Sequence, residues 1–332
     1  MKKHINLFKL IAFPVFFLLP AFGYSTSNNG GFEKKKTISK LYTVSQTDTL
    51  QIENTFGNVI INTWDKNEFK IDIEITADAS SDEEAQYFLD HINANDSRSG
   101  NTIHFKTSVP ERDKRKHYNN DYDNEKKFHC NYVVYMPAIN ALTIANYFGK
   151  IVVPDFHGQV DFTQKFGELN AGNLYNVEAI DVEFGSAQIG NIHNGKISFV
   201  FDDKIDIGKL SGSINITNEF SSYIQYNISN DIKELIINES NSSIRVIVPK
   251  EFPLPFSIFC NFSSFDNNTD IKISEEDKQN ENTFPETGKA PIRILSNFGK
   301  LSISYTALTK EEEDKIRAEE KRRNKSKKKK YK

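Results

Sequence analysis

Cysteine, tryptophan and methionine are scarce in this 332-residue chain, which holds two, one and two of them. Two cysteines exclude a small scaffold held together by many disulfides. Cys130 and Cys260 lie far apart in apolar, strand-like runs, and neither has a His or second Cys at a spacing that suits zinc or a redox pair. A bridge between them and two free thiols both remain open.

Long apolar runs are also few. Leu10 to Phe22 is one, preceded by Lys2 and Lys3, and it is shorter than the ~20 residues a membrane span needs. It reads as an export signal over residues 1–23, with small residues Ala21 and Gly23 marking cleavage near Tyr24. No cysteine lies just after that point, so a lipoprotein is not expected. The expected location is the periplasm, outer membrane or cell surface.

Signatures of chemistry are missing as well. There is no Gly-x-Ser-x-Gly, His-Glu-x-x-His or phosphate-loop pattern, and the dense Gly and Asp of calcium-binding β-rolls do not occur. Hence no cofactor and no metal are expected, and the chain is read as not an enzyme. His117, Asp121, Asp123 and His129 match no compact ligand set and fit a solvated loop better.

What is present is repetition. A Phe-Gly pair, preceded by polar residues and followed by a short apolar strand, recurs as Phe56-Gly57, Phe148-Gly149, Phe166-Gly167, Phe184-Gly185 and Phe298-Gly299. The phrase decays at Phe201-Asp202-Asp203 and Phe220-Ser221, yet between Phe148 and Phe220 the copies return every 17 to 19 positions. That spacing is about one coil of a short-repeat solenoid. Stacked coils would place the Phe rings in a column through the core and Gly at a corner where φ is positive or the next coil lies close. A hairpin sandwich would need more turn signals than Asn194-Gly195.

The expected organisation is a linker over 24–36, an all-β parallel solenoid over 37–308 with a mobile charged loop over 110–127, and a charged helix with a basic tail over 309–332. Within the solenoid, Ser81 and Glu84 predict a short packing helix whose stripe is Ala85, Phe88, Leu89 and Ile92. Thr309 and Glu312 predict a second helix, solvated because it has almost no apolar stripe. From Lys310 onward twelve basic residues face six acidic ones, leaving the remainder acidic although the net charge is only −3. Lys327, Lys328, Lys329 and Lys330 are candidates for peripheral contact with an anionic membrane or polysaccharide. Nucleic acid is not expected, since no aromatic residues are interleaved with these lysines.

The passage Leu50-Gln51-Ile52-Glu53-Asn54-Thr55-Phe56-Gly57-Asn58-Val59-Ile60-Ile61-Asn62-Thr63-Trp64-Asp65 resembles the opening of bacterial proteins classed as putative adhesins of the DUF4097 family. Tyr132-Val133-Val134-Tyr135-Met136-Pro137, followed by Leu142 and Phe148-Gly149, is similar to the family's second block. The resemblance runs from about Thr37 to Thr306, with Phe where Tyr is common in the family. It departs from the family where the glycine is lost between Gly185 and Gly299. It implies a right-handed parallel β-solenoid at the cell envelope with an adhesive or scaffolding role, and it brings no catalytic residues. A surface glycan or an envelope protein is the expected partner. The alternatives are a periplasmic scaffold or sensor accessory, and a polysaccharide-active enzyme using Asp202, Asp203 and Glu168, placed on one face about two coils apart.

Overall fold

A computed structural model describes residues 24–26, 31–109, 127–271, 273–275 and 290–330. The expected export signal lies outside these residues, as does the expected charged loop except for Lys127. The chain is mostly strand, and the described residues contain two helices.

Each repeat supplies a long strand, a corner at Phe and a short strand. The long strands Ala141–Tyr147, Phe156–Lys165, Leu174–Glu183, Ile192–Val200 and Lys209–Glu219 pair in parallel in one sheet. The short strands Lys150–Val153, Glu168–Ala171, Ser186–Ile189 and Lys204–Ile207 pair in parallel in a second sheet. Period-two alternation turns one side of every strand inward. The long-strand register therefore aligns Phe105, Ile52, Ile144, Phe162, Ile180, Ile197, Ile216, Ile237, Ile294 and Ile258 in one buried row. Burying each such side chain contributes roughly 1.5 to 3 kcal/mol, which makes this row the backbone of the core.

The far corner is held by polar side chains at the repeat spacing. Asp155 Oδ1 accepts from Asn173 N at 2.7 Å, Asn173 Oδ1 from Asn191 N at 2.9 Å, and Asn191 Oδ1 from Lys209 N at 2.8 Å. Short amide and carboxylate side chains suit such corners because they satisfy backbone N–H groups that the turn leaves unpaired. Asn194-Gly195 is not a hairpin turn. Its two positive φ angles make an irregularity inside Ile192–Val200, where the pairing register shifts.

The strand Ile224–Ser240 joins the two sides. Its first residues pair with Ser243–Ile247, and its later ones pair with Lys209–Glu219 and Ile292–Asn297.

At both ends the spatial order of the layers departs from chain order. The layer of Thr49–Thr55 and Val59–Thr63 lies between residues 141–153 and a layer made by Thr102–Ser108 with Lys127–Met136. At the opposite end, Ile292–Asn297 and Lys300–Ser304 are inserted between residues 235–247 and the layer of Phe256–Asn261 and Ser264–Asn268.

Antiparallel strands terminate the first end: Asn93–Ser99 on Thr102–Ser108, and Glu68–Ala79 then Phe32–Thr43 beyond Lys127–Met136. The stretch 24–36, expected as a linker, carries strand Tyr24–Thr26 and the start of Phe32–Thr43. The first helix, α1 (Asp82–His91), packs on Phe32–Thr43 and Glu68–Ala79. Ser81 caps it by accepting from Glu84 N at 3.1 Å, and Ala85 and Leu89 are buried. The second helix, α2 (Lys310–Lys330), begins with the expected box, Glu312 Oε2 accepting from Thr309 N at 2.8 Å and Thr309 Oγ1 from Glu312 N at 3.4 Å. It is not simply solvated. Buried Arg317 donates to Ile205 O at 2.9 Å and to Tyr223 O at 3.2 Å, and pairs with Asp206 at 2.9 Å, which docks the helix. A search for an apolar stripe misses this contact because the anchor is a charge.

Candidate functional site: an aromatic ridge and the cleft beneath the second helix

The Phe rings of the repeat do stack, but not in the core. Phe148, Phe166, Phe184, Phe201 and Phe220 stand at the outer corner between the two sheets, each 46 to 50% exposed. Adjacent ring centroids from Phe56 to Phe220 are 4.9 to 5.2 Å apart, with planes within 9° of parallel. Phe128 closes the column by packing edge-on against Phe56 at 4.9 Å. The result is a continuous half-exposed aromatic ridge. The buried phenylalanines of the row described above, Phe105 and Phe162, are different residues.

The positive φ expected of the glycine belongs to the phenylalanine. Phe56, Phe148, Phe166, Phe184, Phe201, Phe220, Phe262 and Phe298 all lie at φ 53° to 60°, and Asn241 at 57°. For a residue with a Cβ that conformation costs roughly 1–2 kcal/mol. Ring stacking, at ~0.5–1.5 kcal/mol per pair, offsets much of the cost. The neighbouring glycine is required for close approach instead: a Cβ at Gly167 would meet the Gly149 carbonyl inside the 3.0 Å that real Cβ contacts keep.

Just inside the ridge runs a row of buried amides. Asn54 Nδ2 donates to Asn146 Oδ1 at 3.0 Å, and Asn146 Nδ2 to Gln164 Oε1 at 3.1 Å. The signal for it stood in the sequence as the polar residue two positions before Phe. Further along, buried Glu239 occupies the same position and accepts from Ser242 N at 2.6 Å and from the Ser296 hydroxyl.

The carboxylates singled out as a catalytic alternative are each engaged by partners of their own. Asp202 is buried, and its carboxylate accepts from Gly185 N at 2.7 Å and Val200 N at 3.2 Å. Burial pushes its pKa up to about 7; the two N–H donors oppose the rise, and the Glu183 and Asp203 charges add to it. Asp203 points outward and pairs with Lys321 of α2 at 3.1 Å. Glu168 pairs with Lys150 at 2.7 Å, and that contact holds its carboxyl below the usual range. The strand register puts Lys204, not Asp203, in the row of Glu168 and Ser186, because Asp203 is an extra residue at the corner.

Cys130 and Cys260 are not bridged to each other; Cys130 is buried and Cys260 half-buried. Burial raises the pKa of the Cys130 thiol. His157 stacks on Tyr175 at 4.3 Å, and His193 shares a hydrogen bond with Ser211 at 2.9 Å. The side chains of Lys327 to Lys330 lie outside the described residues.

Beyond Phe220 the ridge is interrupted. The next layer presents Asn241, and the column resumes with Phe298 and Phe262, 5.1 Å apart. Beside the interruption opens a cleft of about 960 Å³. Phe220, Asn241 and Phe298 line one side; Ser221, Ser242, Ser243, Ser264, Ser302 and Asn268 line the polar surface; Leu308, Ile316 and Glu319 close it from the α2 side. Arg245 and Lys300 also line it, Arg245 donating to Thr306 O at 3.1 Å and Lys300 pairing with Asp266 at 3.1 Å.

No family model and no curated protein matches the chain. Among solved structures it is similar to a putative adhesin from Bacteroides fragilis, at 14% identity and a TM-score of 0.29, covering 81% of this chain and 96% of that one. It is likewise similar to a putative lipid binding protein from Parabacteroides distasonis, at 14% identity and TM-score 0.32, covering 80% and 96%. A putative adhesin from Parabacteroides merdae gives 8% identity and TM-score 0.27, covering 80% and 95%. Likeness at this level leaves the functional reading to the chain's own geometry.

Proposed function

We propose that this chain is an exported, non-catalytic cell-envelope protein whose strands wind as a right-handed parallel β-solenoid, and that it acts as an adhesin-like binding scaffold. The observation that carries the reading is the aromatic ridge. Six layers in succession accept a strained left-handed backbone at Phe, and five of them, from Phe148 to Phe220, leave the ring half in solvent. Stability alone is served better by the inward row, where the same side chain is fully buried at Phe162. A linear apolar strip at one corner suits contact with an extended partner such as a surface glycan or an envelope protein. The separate engagement of Asp202, Asp203 and Glu168 supports a non-catalytic role. Among the described residues no helix is long and apolar enough to cross a membrane, and export rests on the signal read in residues 1–23. Lys327 to Lys330 add a peripheral contact with anionic surfaces, at ~1 kcal/mol per basic side chain near a charged membrane.

The test is accessibility on intact cells. Added protease or an antibody against the folded chain should reach the protein without lysis, and Phe166→Ala paired with Phe184→Ala should reduce attachment to a target surface. A wholly shielded protein would defeat the adhesin reading.

A further inference from the structure

We propose that the interruption of the ridge at Asn241 is a subsite for one ring of a neutral saccharide chain, held in the cleft beneath α2. The inference rests on the reading of the chain as a binding protein and names the ligand class of its principal site.

The layer hydrogen bonds fix the geometry. Phe220 N donates to Ser240 O, and Asn241 N to Asn297 O, so Asn241 occupies the layer between Phe220 and Phe298. Two layers at the ~4.8 Å strand spacing separate those rings by roughly 9.6 Å. One face of Phe220 is covered by Phe201 and one face of Phe298 by Phe262, which leaves the two remaining faces turned toward the vacant ring position. A ring placed there sits at about the 4.9 Å spacing found along the rest of the column.

The lining decides which ring. A phenyl group would lie over Asn241, Ser243 and Ser264 without answering their hydrogen-bonding groups, and covering such groups without partners costs on the order of 1–3 kcal/mol each. An acyl chain fails for the same reason. A small anion meets the carboxylates of Asp266 and Glu319 in the lining, and Lys300 is already paired with Asp266. A pyranose ring has apolar faces for Phe220 and Phe298 and hydroxyls around its edge for the serines and amides. Apolar walls with a few convergent polar groups are the ordinary composition of a small-ligand site, and the volume falls at the upper end of the usual ~300–1,000 Å³. Space for more than one ring, open along the ridge, fits a chain rather than a monosaccharide.

Isothermal titration of the purified full chain with cellohexaose, xylohexaose, laminarihexaose and mannohexaose tests the proposal. At least one should bind at submillimolar concentration. Asn241→Phe, which completes the column with the residue its neighbours use at the same φ, should weaken that binding about tenfold or more while leaving the melting temperature equal or higher. Phe298→Ala should weaken it too, and Tyr175→Ala, exposed on a long strand away from the ridge and the cleft, should leave it unchanged. The proposal is overturned if none of the four binds at millimolar concentration, if Asn241→Phe binds as the parent does, or if only a phenylalanine-rich peptide occupies the cleft. Attachment to cells that survives Asn241→Phe but is lost with the ridge variants would retain the adhesin reading and discard the subsite. Oligosaccharide binding by a protein shielded from the cell exterior would do the reverse.

Discussion

Gly167→Val is the sharpest probe of the corner. Gly167 follows Phe166, and a Cβ at this site would meet the carbonyl oxygen and carbon of Gly149 in the neighbouring layer as well as Gln164 Nε2. The Gln164 side chain can move; the Gly149 backbone cannot, because Glu168 N and Ser186 N tie successive corners to the carbonyls of Gly149 and Gly167 at 3.0 Å. Layer separation is set by strand pairing at ~4.8 Å, so relief requires opening the ladder. Overpacking of this kind costs typically 1–3 kcal/mol, and a β-branched side chain against backbone should sit at or above about 3 kcal/mol. The control is Lys165→Ala, two residues away. It removes a part-exposed ion pair with Glu183 at 2.8 Å, worth at most about 1 kcal/mol. Urea unfolding followed by circular dichroism reads both. Equal, small shifts in midpoint would refute the stacked-glycine corner. A broadened or two-step transition for Gly167→Val would agree with it, since layers that touch only their neighbours lose cooperativity at a damaged interface.

Phe162→Ala, in the fully buried row, should cost about 3–5 kcal/mol, whereas Phe166→Ala should cost about 1.5 kcal/mol or less; thermal melts of the pair decide which phenylalanine belongs to the core. Asp202→Asn tests the buried carboxyl: the fold holds its proton to about pH 7 while an unfolded chain releases it near 3.9, so its contribution is full below that lower value and is lost as pH rises toward 7. The melting temperature of Asp202→Asn should therefore rise relative to the parent between pH 4 and 8, by the equivalent of a few kcal/mol, and parallel curves would remove Asp202 from the account. Arg317→Ala should release α2, seen as faster amide exchange over residues 310–322 with protection of Ile216 and Ile237 unchanged.

The repeat spacing, the strand-corner-strand rhythm and both helix caps were legible in the chain because each is a local pattern: recurrence every 17 to 19 residues, period two, and Ser81 or Thr309 three residues before Glu. The placement of the Phe column was not. A Phe beside a Gly suggests a buried ring and a permissive glycine, and only the backbone angles reveal that the aromatic residue takes the left-handed turn, so that its ring projects from the corner. Asp202 and Asp203 misled for a related reason. Counting along the repeat put Asp203 on one face with Glu168, while the extra residue at the corner turns Asp202 inward and Asp203 toward Lys321. The Asn241 site was hidden because its meaning comes from Phe298, brought next to it from 57 residues away, ahead of Phe262, its predecessor in the chain.

That exchange of places near the end of the stack imposes a schedule on assembly. Among the described residues, the strand Phe256–Asn261 reaches the rest of the stack through Ile292–Asn297, so residues made earlier wait for residues made later before they can dock. The same rule acts at the start, where Thr49–Thr55 gains its outer partner only from Thr102–Ser108. Interior layers can add one at a time in the order of synthesis, but each terminus closes like a clasp whose tongue arrives last. Duplicating an interior repeat would add strands to both sheets; duplicating an end repeat would break the clasp.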